Sequence, residues 1–215
     1  MRSLIVMAMF VATLADAAWN GYTENRDLEI TADGVTLLEI DAGAGEIVIR
    51  GIAQASNIKV RAVIRVDDDE ADARALIAKG LVLRLETTRG TASLQSYFEN
   101  HFWRNREAAV DLEVHIPQGL ALFVDDGSGA MRIEDVFGDV RIDDGSGSID
   151  VSHAVNVSID DGSGSIRISS VSGDVWIDDG SGDIDVRDVE GSVTIDGGSG
   201  SVLLADIRGA IYQDD

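Results

Sequence analysis

The sequence predicts an all-β protein, a right-handed parallel β-solenoid (β-helix) with coils of about 18 residues and one short helix inserted in the N-terminal half. Three observations support this fold class. A five-residue turn recurs at a fixed step, short strands with one buried face flank each turn, and a degenerate copy of the same unit lies upstream. Such repetition is typical of units that stack on one another to bury a common core.

The repeated turn is Asp-Asp-Gly-Ser-Gly. Its copies begin at Asp125, Asp143, Asp160 and Asp178, and a variant with Gly in second place begins at Asp196, so the steps are 18, 17, 18 and 18 residues. Glycine turns a sharp corner without a Cβ penalty, and Ser or Asp side chains hydrogen-bond the backbone nearby. The pentapeptide is therefore predicted to form one corner of each coil.

Short strands flank each corner. Triplets such as 140–142 and 175–177 precede it and triplets such as 149–151 follow it, all in apolar, variable, apolar order. This order indicates strands with one buried face. Antiparallel hairpins are the competing interpretation, but they would place turns every ~8–12 residues without keeping one turn sequence in register. Parallel crossover connections are overwhelmingly right-handed, which favours that sense of coiling.

A third apolar position gives each coil a second corner. Its members are Val136, Val155, Val171, Val189 and Ile207. The coil at 143–159 is one residue short, and we interpret His153 as part of a local irregularity there.

The N-terminal half is predicted to contain degenerate, interrupted coils. Residues 38–49 keep the strand, Gly-x-Gly turn, strand order, and 57–66, 81–87 and 109–116 are further strand candidates. Acids at the start of 67–79, a lysine near its end and Gly80 after it predict a short helix. We therefore expect one domain over 18–215, with degenerate coils over 28–120 and regular repeats over 121–215.

Residues 1–17 are predicted to be a secretory signal peptide. A basic start precedes the apolar run 4–14, and Ala15-Asp16-Ala17 has the small-x-small form that signal peptidase cuts. The run is about half of the ~20 residues that span a bilayer, and we expect no integral membrane segment. The predicted destination is the periplasm or cell surface of a Gram-negative-type bacterium. The chain has no cysteine, so it must be stable without disulfides.

The charge of the chain limits its partners. A formal net charge of -22 argues against nucleic acid and anionic membrane, which attract Lys and Arg. An envelope or cell-surface protein or glycan is the expected partner. The last coil has no clear cap, so edge-to-edge self-association is a further expectation.

The doubled acids are predicted to stack into two columns. One contains Asp125, Asp143, Asp160, Asp178 and Asp196, and the other contains Asp126, Asp144, Asp161 and Asp179. Stacked carboxylates repel each other and need hydrogen-bond donors or a counter-charge. Backbone amides at the corners are one solution, and calcium, which prefers several oxygen ligands, is the alternative. The calcium nonapeptide pattern is not met, and no other cofactor is expected.

Aromatic residues give candidate contact sites in a chain otherwise poor in them. Trp176 stands at an outward strand position and is able to stack on a sugar, while Tyr97, Phe98, Phe102 and Trp103 lie in one short stretch. That stretch is interpreted as a loop packing over the solenoid, or as a carbohydrate or protein contact.

Catalysis is not expected. General acid/base chemistry needs carboxylates made different by their surroundings, whereas here the same pair repeats in every coil. The three histidines are scattered, and no Ser-His-Asp constellation stands out. A glycan-active enzyme is the least favoured alternative.

The stretch 110–119, a strand ending in Pro-x-Gly, followed by Gly-Ser-Gly turns with Ile-x-Val flanks, resembles the bacterial putative adhesin family DUF4097. The resemblance covers about Leu28 to the end. It implies a β-helix-like fold in exported or envelope-associated proteins and brings no catalytic motif. The doubled Asp departs from many members. We therefore expect a non-catalytic binding or structural protein, with a calcium-stabilised solenoid as the alternative.

Overall fold

The computed structural model describes residues 21–99 and 107–214. Within them the chain forms two nine-stranded sheets, which share one hydrophobic core, and one helix. The predicted signal peptide and the aromatic residues Phe102 and Trp103 lie outside the described residues. No helix in the described part is long and apolar enough to cross a membrane.

Strands are numbered in chain order. Sheet A contains, in spatial order, β1 (Tyr22–Thr31), β4 (Asn57–Val66), β7 (Ala108–Pro117), β3 (Ile47–Ile52), β9 (Met131–Glu134), β11 (Ile149–Ala154), β13 (Ile166–Val171), β15 (Ile184–Val189) and β17 (Val202–Ile207). Sheet B contains, in spatial order, β18 (Ile211–Asp214), β16 (Val193–Ser199), β14 (Val175–Ser181), β12 (Val157–Asp161), β10 (Val140–Asp144), β8 (Ala121–Ser128), β2 (Leu37–Ala44), β6 (Thr91–Phe98) and β5 (Leu81–Thr88).

From β8 to β18 the chain alternates between the two sheets. From β10 to β16, each strand pairs in parallel with the strands two places before and after it, so that Val140, for example, is paired with Leu122 and with Val157. The inward residues of the triplets are buried and the middle residues point outward. The all-β, parallel, solenoid-like arrangement is thus confirmed, while its right-handed sense stays a prediction.

The other end of the stack is closed by antiparallel strands. In sheet A, β4 pairs antiparallel with both β7 and β1, and in sheet B, β5 pairs antiparallel with β6. The strand candidates at 57–66, 81–87 and 109–116 are confirmed as β4, β5 and β7. The strands β1 and β6 were not predicted.

The first coil of the chain lies inside the stack and not at its end. Strand β2 lies between β6 and β8, and β3 lies between β7 and β9. The residues between β3 and β6 form β4, α1 and β5. Strands β4 and β5 lie at the closed end of the stack, beyond β7 and β6 respectively.

The helix α1 (Glu70–Gly80) connects β4 to β5. Asp69 caps it, because its Oδ1 accepts hydrogen bonds from the backbone N–H groups of Ala71 at 3.0 Å and Asp72 at 3.1 Å. The acidic first turn and Lys79 in the last turn suit the helix dipole. The predicted short helix is confirmed.

The third apolar position of one coil was assigned incorrectly. Ala154, not Val155, pairs with Val171 and is buried. His153 precedes it with φ of 57°, and this left-handed position recurs in the other coils at Asp135, Ser170, Asp188 and Asp206. His153 is therefore part of the regular coil, and the missing residue falls in the turn after Ala154.

The glycine corners bring backbones of neighbouring coils into direct contact. Gly147 has φ of 153°, and a Cβ added there would overlap the carbonyl oxygen of Gly129 in the coil below. The Gly147 N–H donates to the Ser163 carbonyl of the coil above at 2.9 Å. The corner thus needs glycine both for its conformation and for its packing.

Candidate functional site: the aspartate columns and the outer face of sheet B

The doubled aspartates form two columns along the ends of the sheet B strands. Asp143 is paired with Asp125 and Asp160, and Asp144 with Asp126 and Asp161. Strand β14 continues both columns at its Asp-Asp pair, and Asp196 of β16 continues the first. The predicted stacking in register is confirmed.

The two columns differ completely in exposure, because successive residues of a strand point to opposite faces of the sheet. We call the first the outer column. All five of its members are exposed: Asp125, Asp143, Asp160, Asp178 and Asp196. The second, the inner column, is buried, with 3, 3, 2 and 3% of surface exposed for Asp126, Asp144, Asp161 and Asp179.

The inner column continues beyond the aspartates with small residues. Strand β2 places Ala42 beside Asp126, β6 places Ser96 beside Ala42, and β16 places Gly197 beside Asp179. A Cβ added at Gly197 would lie 3.8 Å from Ile184 Cδ1, so this column faces apolar side chains across the core. No Lys, Arg or His is buried among the described residues. The inner carboxyls therefore lie in an apolar environment.

Each of three inner aspartates hydrogen-bonds the corner that follows it. The Ser146 N–H donates to Asp144 Oδ1 at 3.3 Å, and the equivalent bonds from Ser163 to Asp161 and from Ser181 to Asp179 are 3.1 and 3.0 Å. A side chain that accepts from the N–H two residues ahead stabilises a tight turn. The predicted backbone donors are thus observed for three of the four inner aspartates.

Four further oxygens of the inner column are buried without a hydrogen-bond partner. They are Asp144 Oδ2, Asp161 Oδ2 and both oxygens of Asp126, and within the described residues Ser96 Oγ is in the same state. Burying a charged oxygen without a partner is costly, and protonation removes that charge.

Burial is the largest cause of the raised pKa values in this column. It raises the pKa of Asp126 to about 7, with a further rise from Asp144 and an opposing effect of the nearby Gly127 and Ser128 N–H groups, which do not reach hydrogen-bond geometry. Burial and the charge of Asp144 raise the pKa of Asp161 to about 6. The pKa values of Asp144 and Asp179 are raised as well, again mainly by burial.

Calcium coordination by these aspartates stays a prediction. In the described ranges, one group of three acidic residues, Asp68, Asp69 and Asp72, has ligand oxygens all within 4.8 Å of one another, and it belongs to the start of α1. The column aspartates do not gather in this way. A calcium ion on either column would therefore complete its shell with backbone carbonyls and water.

The outer face of sheet B contains an open groove of about 680 Å³. Its floor is formed by outward residues of β8, β10, β12 and β14, namely Phe123, Arg141, Ser158 and Trp176. The residues before these strands form one side of the groove: Asp139, Asn156 and Asp174. Trp176, singled out from the sequence, is 41% exposed.

The aromatic stretch predicted to be a loop is partly a strand. Tyr97 and Phe98 belong to β6, which the alternation of its side chains could have revealed. Phe98 points into the core and is 8% exposed, so its assignment as a surface contact is wrong. Tyr97 is half-buried on the opposite face, and the groove residues Phe123 and Arg141 were not chosen as contact sites from the sequence.

Two sheets whose strands are parallel from β8 to β18, joined by glycine corners that repeat in register, give a solenoid-like fold. The sequence profile of the family Toastrack DUF4097 matches residues 35–210, and the chain belongs to this family. The predicted family resemblance is thus confirmed. No curated protein matches the chain.

Several solved structures are similar to this one. A putative cell adhesion protein from Clostridium sporogenes has a TM-score of 0.45 and 12% identity, over 89% of this chain and 99% of that one. A putative adhesin from Parabacteroides distasonis has a TM-score of 0.41 and 13% identity, over 91% and 98%. A putative lipid binding protein from the same organism has a TM-score of 0.34 and 13% identity, over 92% and 98%.

Proposed function

We propose that this protein is an exported, envelope-associated binding protein of the adhesin kind, without catalytic activity, in a Gram-negative-type bacterium. It presents the outer face of sheet B as a rigid acidic surface to an envelope protein or glycan. The observation that carries the proposal is the exposed outer column next to an open groove with aromatic residues on the same face.

The rigidity of this face supports a binding role. Its strands are in continuous parallel register, and their inward residues are buried in one core. The glycine corners pack backbone against backbone, as Gly147 does on Gly129. A surface that is already ordered loses little conformational entropy when a partner binds.

The equivalence of the carboxylates supports the absence of catalysis. Members of the outer column share one exposed environment and members of the inner column share one buried environment. An acid and a base for glycan cleavage would have to reach the same glycosidic bond, whereas the inner carboxyls are buried on the face opposite the outer ones. His115 and His153, both on sheet A, contact Glu113 and Asp135 and are not part of the groove.

Capture of partners tests the binding role. The full-length protein is produced in a Gram-negative host, purified from its export compartment, immobilised, and exposed to solubilised envelope proteins and to a glycan panel. We expect a specific partner to be retained, and retention to fall when three outer-column residues are changed to asparagine: Asp143, Asp160 and Asp178.

The matched control changes three acids of sheet A that occupy the left-handed position, where asparagine is well tolerated: Asp135, Asp188 and Asp206. Retention by this variant should equal that of the unchanged protein. Cleavage of any glycan in the panel would contradict the non-catalytic role, and equal loss in both variants would contradict the assignment to sheet B.

Export is tested separately by fractionation. The full chain should appear outside the cytoplasm, whereas Val6→Arg, which interrupts the apolar run of the predicted signal, should remain inside. Equal export of both proteins would contradict the predicted signal peptide.

A further inference from the structure

We propose that the groove on the outer face of sheet B binds a short oligosaccharide without acidic groups, held between Trp176 and the Arg141–Phe123 pair. This inference rests on the proposed binding role and names the ligand class and its site. It is drawn from the shape, the side chains and the charge of the groove.

The floor of the groove has a low centre between two raised ends. Ser158 occupies the outward position between Arg141 and Trp176, and Phe123 follows Arg141 on the next strand. Neighbouring strands are about 4.8 Å apart, so the outward positions of Trp176 and Arg141 lie about 10 Å from each other across the sheet. That separation leaves room above Ser158 for a short run of linked sugar rings.

The ends of the groove provide apolar faces. The indole of Trp176 is 41% exposed. The Arg141 guanidinium lies 5.7 Å from the centre of the Phe123 ring, which orients both side chains. Aromatic rings with an exposed face suit the C–H face of a pyranose, while the free N–H groups of an arginine suit its hydroxyls.

The side of the groove contains polar groups held in fixed positions. Asn156 Nδ2 donates to Asp139 Oδ1 at 2.8 Å, and Asn156 Oδ1 accepts from the Asp174 N–H at 2.9 Å. Asp174 Oδ1 in turn accepts from the Ser192 N–H at 2.7 Å. All three side chains are nevertheless exposed. They form an ordered row of acceptors for sugar hydroxyls, which suits recognition of a polyhydroxylated ligand.

The negative charge of the groove indicates which class of glycan it binds. The groove contains Glu39, Asp139 and Asp174 against the single cation Arg141, and the chain as a whole has a net charge of -22. A uronic-acid or sulfated glycan would be repelled. A neutral glycan is therefore the ligand that this groove fits.

Titration calorimetry on the full-length exported protein tests the inference. The probes are the neutral tetrasaccharides cellotetraose, maltotetraose and N,N',N'',N'''-tetraacetylchitotetraose, with tetragalacturonate as the acidic counterpart. We expect at least one neutral probe to bind, and tetragalacturonate to bind at least about tenfold more weakly.

Two variants localise the site by opposite means. Trp176→Ala removes an aromatic face, and Ser158→Arg fills the low centre of the floor without removing one. Each should weaken binding about tenfold or more, equivalent to about 1.4 kcal/mol. The control Phe137→Ala removes an aromatic residue that is 49% exposed but lies outside the groove, and it should bind as the unchanged protein does.

Failure of this inference is distinguishable from failure of the proposed function. Binding of no neutral probe, tighter binding of tetragalacturonate, or undiminished binding by folded Ser158→Arg would overturn the inference. If the protein still captures an envelope protein, the binding role stands. Shortening of a probe during the titration would overturn the non-catalytic role, while the variants would still decide where the probe binds.

Discussion

The outer and inner aspartate columns contain the same residue type at adjacent positions, yet they have opposite environments. Asp143 is exposed at the surface of sheet B, whereas Asp144 is 3% exposed and faces the core. The outer carboxylates reduce the stability of the folded state little, because water solvates them. The inner ones lose their water and recover part of that loss through the serine N–H of the corner. The pleat of the strand, and not residue chemistry, thus decides what each acid does.

The largest difference in stability between the two columns should appear when an aspartate of each is replaced, in separate variants, by lysine. Asp144→Lys puts a long, charged side chain into an apolar space and removes the acceptor of the Ser146 N–H. We expect a loss of about 3–5 kcal/mol of unfolding free energy. Asp143→Lys, its outer neighbour, should change stability by less than about 0.5 kcal/mol. Urea unfolding of both variants measures the difference, and similar losses would show that the columns are not distinct.

The inner column should make the protein more stable at mildly acidic pH. The pKa values of Asp126 and Asp161 in the folded state, about 7 and about 6, exceed the ordinary value of 3.8. Above pH 7 both carboxyls are ionised in the folded and unfolded chains, and the full cost of burial is present. As pH falls toward 3.8, the folded chain binds protons that the unfolded chain does not, so stability rises.

We expect a gain of roughly 2–4 kcal/mol between pH 8 and pH 5, measured by urea unfolding at each pH. The double variant Asp126→Ala/Asp161→Ala should have a smaller pH dependence. The matched outer variant Asp125→Ala/Asp160→Ala should keep the pH dependence of the unchanged protein. A protein less stable at pH 5 than at pH 8 would contradict the assignment.

A single inner substitution should stabilise the protein at high pH. Asp126 has two buried oxygens without a hydrogen-bond partner, and the equivalent position in β2 is Ala42. Asp126→Ala should therefore raise the unfolding free energy at pH 8 by about 1–3 kcal/mol. Asp125→Ala should leave it within about 0.5 kcal/mol. Destabilisation by Asp126→Ala would indicate that the carboxyl stabilises its corner through a contact not seen here.

Calcium is expected to act on the outer column and to have the smallest effect. Millimolar calcium at about ten times its dissociation constant would add about 1.4 kcal/mol, or roughly 3–6 °C in melting temperature. Chelator should reverse the shift, and changing Asp143, Asp160 and Asp178 to asparagine should abolish it. Asp126→Ala should keep it. The absence of any shift in the unchanged protein would end the calcium hypothesis.

The repeat made most of the fold predictable. Triplets with period-2 alternation around a repeated turn predicted the parallel stack and the register of both aspartate columns. Equivalent residues align because near-identical units stack on one another. The helix followed from its acids, Lys79 and Gly80. Strand β6 was missed, since its aromatic end suggested a surface loop although Phe98 is buried. The position of β2 between β6 and β8 involves a long-range pairing that no local pattern records.

The sequence predicted the aspartate columns of the candidate site but not the groove beside them. Both acids of each pair were assigned to a possible metal site, although the alternation of the preceding triplet, continued through the pair, points the first acid outward and the second inward. The repeat does align the outward residues Phe123, Arg141 and Trp176, but their mixed chemistry suggested no uniform platform, so the groove across β8 to β14 was missed.

The order of the coils has a consequence for how proteins of this design change length. From β8 onward each coil contacts only its two neighbours, and spatial order follows chain order. Duplicating or deleting one complete unit there would shift every later coil by one step and leave all remaining pairings unchanged. The closed end has no such freedom, because β2 and β3 are enclosed by segments that come later in the chain. Coils can thus be added or removed only in the part of the stack from β8 onward, and the aspartate columns lengthen or shorten with the number of coils.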